Sequence, residues 1–247
     1  MSSTYWLHIG ISLPIQLAII VRTTMKDDKT HPVPQNWPPH IEYITSPTYT
    51  AAVSPELQRK FNTPTQSTAS WPKISASPTP HDNVIIQPIT SITHPARGQY
   101  GLFATQTLAP NTFILPYLGT IHTNNASDTD ETSDYDLSLD RDMGLSIDAT
   151  TTGNEARFMN DYRGIAEAPN AEFRDCWVQI PAVTEGGRGT WERRMGVFVL
   201  GAGKTVNRKR RRGVAKGEEV VVNYGKGFWK ERKAEGAVVE DADVVDE

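Results

Sequence analysis

Short apolar runs broken by glycine, proline and asparagine dominate the chain from Val84 onward. Apolar runs of this length between such residues are typical of short β-strands. Helical spacing of apolar positions is scarce and is confined to residues 153–160 and 226–234. Many short strands with few short helices predict a mainly β fold. The runs that predict strands are 84–86, 102–104, 113–117, 171–180, 194–200 and 220–223.

Residues 1–83 differ from this pattern because they are dense in Pro, Ser and Thr, with only scattered aromatic residues. Such a composition buries too little apolar surface to offset the conformational entropy of the chain. We therefore predict a largely irregular N-terminal region, a linker with some strands or turns packed on one folded domain at 84–233. A segment of that size can bury a core without disulfides or metals.

Two features predict an intracellular protein without a membrane segment. The apolar stretch at 5–21 is interrupted by His8, Pro14 and Gln16, and no basic residue precedes it. It is also shorter than the roughly 20 residues that span a bilayer. The lone Cys176 permits no internal disulfide, so we expect a small buried thiol in a reduced compartment, nuclear or cytoplasmic.

Charge is distributed unevenly, although the formal net charge is only −4. A basic run begins at Arg208 and ends at Arg212, and residues 234–247 carry acids without a base. Like-charge runs are usually solvated, so 234–247 is predicted to be a disordered acidic tail. The basic run is either a solvated loop or a weak contact for nucleic acid, which would bind through its phosphates.

Two segments combine a turn with residues that can carry chemistry. Residues 153–161 read Gly-Asn-Glu-Ala-Arg-Phe-Met-Asn-Asp, and residues 217–224 read Gly-Glu-Glu-Val-Val-Val-Asn-Tyr. They resemble Arg-Phe-x-Asn-His and Gly-Glu-Glu-Leu-x-x-x-Tyr, the two signature motifs of the SET-domain lysine methyltransferases. Residues 94–104 are similar to the Gly-x-Gly-x-x-Ala hairpin that opens the family's domain, and 225–229 to its closing Tyr-Gly-x-x-Phe-Trp. The resemblance covers about residues 84–230.

The resemblance implies the SET-domain fold, with small curved β-sheets around a C-terminal pseudoknot. It also implies methyl transfer from S-adenosylmethionine to the ε-amine of a lysine in a protein substrate, histones included, without a metal. We expect a monomer. No cysteine follows Tyr224, so the three-cysteine zinc segment that completes the lysine channel in many members is missing. The chain therefore resembles a divergent branch.

Methylation of lysine requires a neutral amine, whereas the free ε-ammonium has a pKa of roughly 10.4, so the site must desolvate the lysine. Aromatic walls exclude water and attract the cation, which suits this task. By resemblance, the Tyr224 hydroxyl is predicted to orient the amine and to meet the transferring methyl. The predicted aromatic walls of the lysine channel are Tyr135, Phe228 and Trp229.

The resemblance also implies four contacts with S-adenosylmethionine. Asn160 is predicted to contact its methionine part, and the backbone of Asp161 its adenine edge, although the family usually has His at the second position. Tyr100 and Gly101 are the other two predicted contacts. Gln99 occupies the place of the first glycine in Gly-x-Gly, and a glutamine fits there only if its φ is negative.

The departures at Asp161 and Gln99 leave two other functions open. One is a non-catalytic SET module that binds a protein partner, and the other is a nucleic-acid or chromatin adaptor that acts through the basic run. Cofactor binding separates the enzyme from both. We interpret Glu155, Glu218 and Glu219 as solvated turn residues, and Arg157 and Asp148 as buried, paired residues with a structural role.

Overall fold

The computed structural model of the 247-residue chain describes residues 32–75, 79–181, 189–202 and 213–225. Within these ranges short strands predominate over helices, which confirms the mainly β fold predicted from the apolar pattern. The described part of the chain has no helical segment with both the length and the apolar character that a membrane span requires. The elements are β1 (Glu42–Tyr43), β2 (Thr48–Tyr49), α1 (Pro55–Phe61), β3 (Lys73–Ile74), β4 (Val84–Pro88), β5 (Tyr100–Ala104), β6 (Phe113–Pro116), β7 (Thr120–Thr123), β8 (Asp136–Asp140), β9 (Leu145–Asp148), β10 (Thr152–Gly153), a 3-10 helix (Glu155–Phe158), β11 (Asn160–Asp161), β12 (Ala171–Ile180), β13 (Thr190–Val199) and β14 (Val221–Val222).

Two four-stranded sheets form the body of the fold, in the orders β3-β12-β13-β6 and β2-β7-β9-β8. The longest pairing is antiparallel and joins β12 to β13 along all ten residues of each strand, from Ala171 opposite Val199 to Ile180 opposite Thr190. Strand β12 has the bounds predicted from the apolar pattern, whereas β13 begins four residues earlier than predicted.

One hydrophobic cluster of the described residues contains members of both sheets and of the C-terminal segment. Leu102, Leu115, Leu145, Val197 and Val220 belong to it and are completely shielded from solvent. None of these short strands could bury its apolar face alone, so the shared burial stabilises the sheets together, at roughly 25 cal/mol for each Å² of apolar surface removed from water.

The described residues before Val84 add edge strands to the sheets of the domain. Strand β1 pairs with β10, β2 with β7 and β3 with β12, in each case parallel. Helix α1 begins where the Ser54 hydroxyl accepts a hydrogen bond from the Leu57 amide at 3.2 Å, and Pro55 occupies the first turn. Both residues are typical of a helix start. Phe61, at the end of α1, is buried in the core.

Arg193 on β13 ties this N-terminal region to the sheet. Its guanidinium lies 4.8 Å from the ring centroid of Phe61 and 4.7 Å from that of Trp71. It also pairs with Asp140 at 2.5 Å and with Asp175 at 3.0 Å. A buried arginine is stable only when its donors are satisfied, so these contacts fix helix α1 and the following turn against β13.

The C-terminal segment 213–225 passes between two other parts of the chain. On one side the Val220 amide donates to the Leu102 carbonyl at 2.7 Å. On the other side β14 runs parallel to β11, with Val221 opposite Asn160, and the side chain of Asn170 donates to the Glu219 carbonyl at 2.7 Å. This is the threaded arrangement that the resemblance implied, and it brings Tyr224 next to β11.

Three predictions concern residues outside the described ranges. They are the short helix at 226–234, the basic run from Arg208 to Arg212 and the acidic tail at 234–247.

Candidate functional site

Two neighbouring cavities meet beside the end of β14. The first has a volume of about 860 Å³ and the second a volume of about 630 Å³. The first is bordered by the segment before β5, by β11 and by residues 36–41 of the N-terminal region. The second is bordered by β8 and by the loop before it. The residues that line both cavities, and therefore mark their junction, are Asp134, Tyr135, Arg157 and Tyr224.

Tyr224 is held at both ends by the motif around β11. Its hydroxyl donates to the Met159 carbonyl at 2.5 Å, and its backbone amide donates to Oδ2 of Asp161 at 2.8 Å. Burial, and then the nearby Tyr135, Asp161 and Glu219, raises the pKa of the Tyr224 hydroxyl, so the hydroxyl stays neutral at physiological pH. The residue is nevertheless 37% exposed, which leaves it accessible to ligands.

The carboxamide of Asn160 has a defined orientation. Its Nδ2 donates to Oε1 of Glu219 at 2.8 Å and to the Tyr100 carbonyl at 3.3 Å. Both partners are acceptors, so only the NH₂ group of the amide can satisfy them. Oδ1 is therefore the amide atom that Asn160 can offer to a ligand in the first cavity, which it lines.

Gly101 is a glycine because a carboxylate occupies the space beside it. A Cβ at this position would lie 2.7 Å from Oε1 of Glu219, which is closer than van der Waals contact allows. Gly101 is buried and is not among the residues that line either cavity, whereas Tyr100 and Gln99 line the first. Positive φ in this turn falls on Gly98, at +83°, and not on Gln99, so glutamine meets the condition set by the sequence.

The Asp161 side chain is 5% exposed and engages groups of the protein. Besides the Tyr224 amide, it accepts the backbone N–H of Arg163 at 2.9 Å and pairs with the Arg163 guanidinium at 2.8 Å. Asp161 also lines the first cavity. The carboxylate that replaces the usual imidazole thus binds the backbone of the predicted catalytic tyrosine.

Tyr135 and Arg157 form the wall at the junction. The Arg157 guanidinium lies 4.2 Å from the ring centroid of Tyr135 and donates to the Ala149 carbonyl at 2.9 Å. The Tyr117 hydroxyl donates to the Tyr135 carbonyl at 2.7 Å, which fixes the backbone of this wall. Arg157 is buried as expected, but its partners are the Ala149 carbonyl and the rings of Tyr135 and Phe158.

The other two predicted channel residues, Phe228 and Trp229, lie outside the described residues. Their role stays a prediction.

The interpretation of Glu155 and Glu219 as solvated turn residues is wrong. Glu155 is 1% exposed and accepts hydrogen bonds from the His81 amide at 2.8 Å and from the Tyr43 hydroxyl at 3.3 Å. The Glu219 side chain is 9% exposed and contacts Nε2 of His94 at 2.9 Å. A glutamate that directly precedes a buried strand was the available signal for Glu219, but its partners are about 60 and 125 residues away.

Sequence reasoning also missed the N-terminal wall of the first cavity. Trp37 lines this cavity and meets the rings of Tyr43 and Phe158 edge-on, at centroid distances of 5.1 and 5.6 Å. Its indole N–H donates to the Ile41 carbonyl at 2.7 Å. A tryptophan within a Pro-rich stretch was the available signal, because such a large ring is seldom left without a partner.

The family model described as SET domain matches residues 99–225, half of the chain. No curated protein matches the chain. Among solved structures, this chain is similar to a chain in the crystal structure of the Chaetomium thermophilum polycomb repressive complex 2, with 22% identity and a TM-score of 0.40. The match covers 59% of this chain and 15% of that chain. An active polycomb repressive complex 2 in the stimulated state gives 22% identity and a TM-score of 0.38, over 58% and 15%. A chain of the Chaetomium thermophilum complex in an autoinhibited conformation, bound to S-adenosylmethionine, has 20% identity to this chain and a TM-score of 0.40. The match covers 62% of this chain and 17% of that chain. The chain thus spans about a sixth of the length of these chains.

Proposed function

The chain belongs to the SET-domain family, and we propose that it transfers a methyl group from S-adenosylmethionine to the ε-amine of a lysine in a protein. The observation that carries this proposal is the meeting of two cavities at Tyr224. A displacement at carbon requires the nucleophile, the methyl carbon and the leaving sulfur in line. Two cavities that meet beside Tyr224 suit a reaction whose partners approach from opposite sides.

The first cavity fits the cofactor in size and in chemistry. Its volume of about 860 Å³ lies within the roughly 300–1,000 Å³ that small-molecule sites occupy. Trp37, Tyr100 and Phe158 supply aromatic surface, and Asn160 supplies an oriented acceptor. When bound, S-adenosylmethionine supplies an electrophilic methyl group on a sulfonium. We assign its retention to Tyr100, Asn160 and Asp161, with Gly101 providing the space that Glu219 needs behind Asn160.

The junction favours the neutral form of a lysine side chain. Tyr117, Tyr135 and Phe173 line the second cavity and exclude water from a bound alkyl chain. The guanidinium of Arg157 places a fixed positive charge at the junction, where the side chain of Asp134 also lies and opposes it. Desolvation is therefore the effect that lowers the pKa of a bound amine, and the neutral amine is the nucleophile.

Tyr224 can accept a hydrogen bond from that amine. Its own proton is donated to the Met159 carbonyl, so the oxygen presents lone pairs to an approaching N–H group. The neutral hydroxyl cannot form a salt bridge with an ammonium, which again favours the deprotonated lysine. Holding the amine by one N–H directs its lone pair, which is the orientation that the transfer requires.

The substrate that this site supports is a lysine within a basic segment of a protein. Acidic side chains outnumber basic ones around the second cavity, where Asp130, Glu131, Asp134, Asp136 and Asp175 lie with Arg141 and the stacked Arg157. Complementary charge favours association with basic peptides. Core histones are therefore the first proteins to test, and a nuclear location follows if they are the substrates.

Two measurements test the proposal. Calorimetry with S-adenosylhomocysteine should detect binding to the purified chain. Incubation with tritium-labelled S-adenosylmethionine and core histones or cell lysate should then label lysine in a protein. Binding without any labelled protein would support the non-catalytic SET module instead, which the replacement of the usual histidine by Asp161 favours. Absence of binding at millimolar concentration would contradict the enzyme.

A further inference from the structure

Glu219 has a carboxylate that is largely shielded from solvent, in the turn before β14. Its side chain is 9% exposed. Oε1 accepts a hydrogen bond from Nδ2 of Asn160 at 2.8 Å, and Oε2 lies 2.9 Å from Nε2 of His94. Burying a charge is unfavourable unless it is paired and hydrogen bonded. These two contacts satisfy both oxygens of the Glu219 carboxylate.

The histidine is oriented by the backbone. Nδ1 of His94 accepts the amide hydrogen of Ala96 at 3.1 Å, so the ring proton of the neutral form is on Nε2. Nε2 then donates to Oε2 of Glu219. His94 thereby holds one carboxylate oxygen in place and leaves the other directed at Asn160.

The second oxygen determines what Asn160 offers to a ligand. With Oε1 of Glu219 and the Tyr100 carbonyl both accepting from Nδ2, the amide cannot turn over without placing its oxygen against two other oxygens. Oδ1 is thus kept as the ligand-facing atom. An amide oxygen accepts hydrogen bonds from N–H donors such as an ammonium, and it repels a carboxylate.

We propose that Glu219 is a positioning residue of the cofactor site, because it holds the Asn160 oxygen toward the α-ammonium group of S-adenosylmethionine. The inference rests on the proposed function. Two other residues hold Glu219 in this position: His94 anchors its carboxylate, and Gly101 leaves the space that the carboxylate occupies.

Two ligands separate this role from a merely structural one. S-adenosylhomocysteine carries the ammonium group, whereas 5′-methylthioadenosine has the same nucleoside and lacks the amino-acid part. In Glu219→Gln the side chain keeps its volume but can no longer accept from both Asn160 and His94. Calorimetry should show about tenfold weaker binding of S-adenosylhomocysteine, the size expected for a hydrogen bond to a charged group, and unchanged binding of 5′-methylthioadenosine.

Two further variants complete the experiment. Glu218→Gln makes the same charge change in the same turn without contacting Asn160, and it should leave both affinities unchanged. His94→Ala removes the anchor outside the cavity, so it should weaken S-adenosylhomocysteine selectively even if Glu219→Gln fails to fold. If the affinity of Glu219→Gln and His94→Ala falls equally for both ligands, or for neither ligand, the inference is overturned while the proposed function stands. If the unaltered protein binds neither ligand, both fail.

Discussion

Glu155 and Glu219 are two glutamates, one buried and one partly buried, that each bind a histidine, but they stabilise different parts of the molecule. Glu155 holds His81, before β4, and Tyr43, in β1, against the 3-10 helix. Glu219 holds His94 and the cavity residue Asn160.

The partners, and not the Glu–His pair itself, separate a structural role from a functional one. Each partner of Glu155 attaches one part of the chain to another, so Glu155 acts on the stability of the fold. One partner of Glu219 borders the cavity proposed for the cofactor, so Glu219 acts on ligand binding. The two regions should therefore respond differently to mutation, with stability affected in the first and catalysis or affinity in the second.

The largest expected effect is on catalysis, from Tyr224→Phe. The change removes the hydroxyl that accepts the amine N–H and leaves the aromatic wall. We expect the transfer rate to fall by about a hundredfold or more, in the range seen when one group that acts in the transition state is removed. Affinity for S-adenosylhomocysteine should change little, because its retention is assigned to Tyr100, Asn160 and Asp161. The lost hydrogen bond to the Met159 carbonyl should lower the free energy of unfolding by about 1 kcal/mol.

Tyr49→Phe is the matched control for this prediction. Its hydroxyl accepts from the Asn62 side chain at 3.2 Å, and it lines neither of the two cavities. Its transfer rate should equal that of the unaltered protein. An unchanged rate in Tyr224→Phe as well would assign Tyr224 to packing alone.

The second prediction concerns stability, through Glu155→Gln. A glutamine has one acceptor oxygen for the donors that now surround the carboxylate, and its NH₂ group would face another donor. The free energy of unfolding should fall by about 2 kcal/mol, measured by urea denaturation. Affinity for S-adenosylhomocysteine should stay within a few-fold. If affinity falls and stability does not, the division between the two regions is wrong.

Much of the fold was predictable because the pattern of apolar residues reports burial. Strand β12 was predicted with the bounds that the structure has, and the threaded C-terminal segment followed from the resemblance of the motifs. The parallel pairings of β1, β2 and β3 were not predictable, since strands of two residues have no periodicity and their partners lie far along the chain. Helix α1 could have been predicted, because Ser54 followed by Pro55 and Glu56 is a helix start.

The candidate site was likewise predictable only in part. Tyr224, Asn160 and Tyr100 were named from the motifs and border the first cavity. Glu219 was misread because its burial depends on Gly101 lying opposite, which only the pairing of the C-terminal segment with β5 reveals. Likewise, the Asp161 carboxylate binds the Tyr224 amide across 63 residues of sequence, a contact without a local signal.

The third prediction uses pH to test the Glu155 region. Burial alone would raise the pKa of Glu155, but hydrogen bonds and the charge of His81 outweigh burial, and the pKa lies below its ordinary value of 4.5. A pKa lowered by folding gives stability that is present above the unfolded value and is lost as the pH falls through the folded one. The difference in stability between the unaltered protein and Glu155→Gln should therefore shrink below about pH 4.5. A constant difference from pH 7 to pH 3 would contradict this.

The smallest expected effect comes from Asp161→Asn. It tests whether Asp161 acts on the support of Tyr224 or on cofactor binding. The amide oxygen of asparagine can still accept the Tyr224 N–H, but its NH₂ group then faces the backbone N–H of Arg163, and the ion pair with Arg163 is lost. The Arg163 side chain is 37% exposed, and solvent screening limits such a pair to less than about 1 kcal/mol. We therefore expect a decrease of about threefold in the transfer rate at saturating S-adenosylmethionine, because Tyr224 is held less firmly, with unchanged affinity for S-adenosylhomocysteine.

Asp161→Ala sharpens the result, since it also removes the acceptor for the Tyr224 amide. Its rate should fall further than that of Asp161→Asn, again without a parallel loss of affinity. The opposite pattern, a lower affinity with an unchanged saturated rate in both variants, would mean that the carboxylate acts on the cofactor. Asp161 would then belong with Asn160 and Glu219, and Tyr224 would be supported through its hydroxyl contact with Met159.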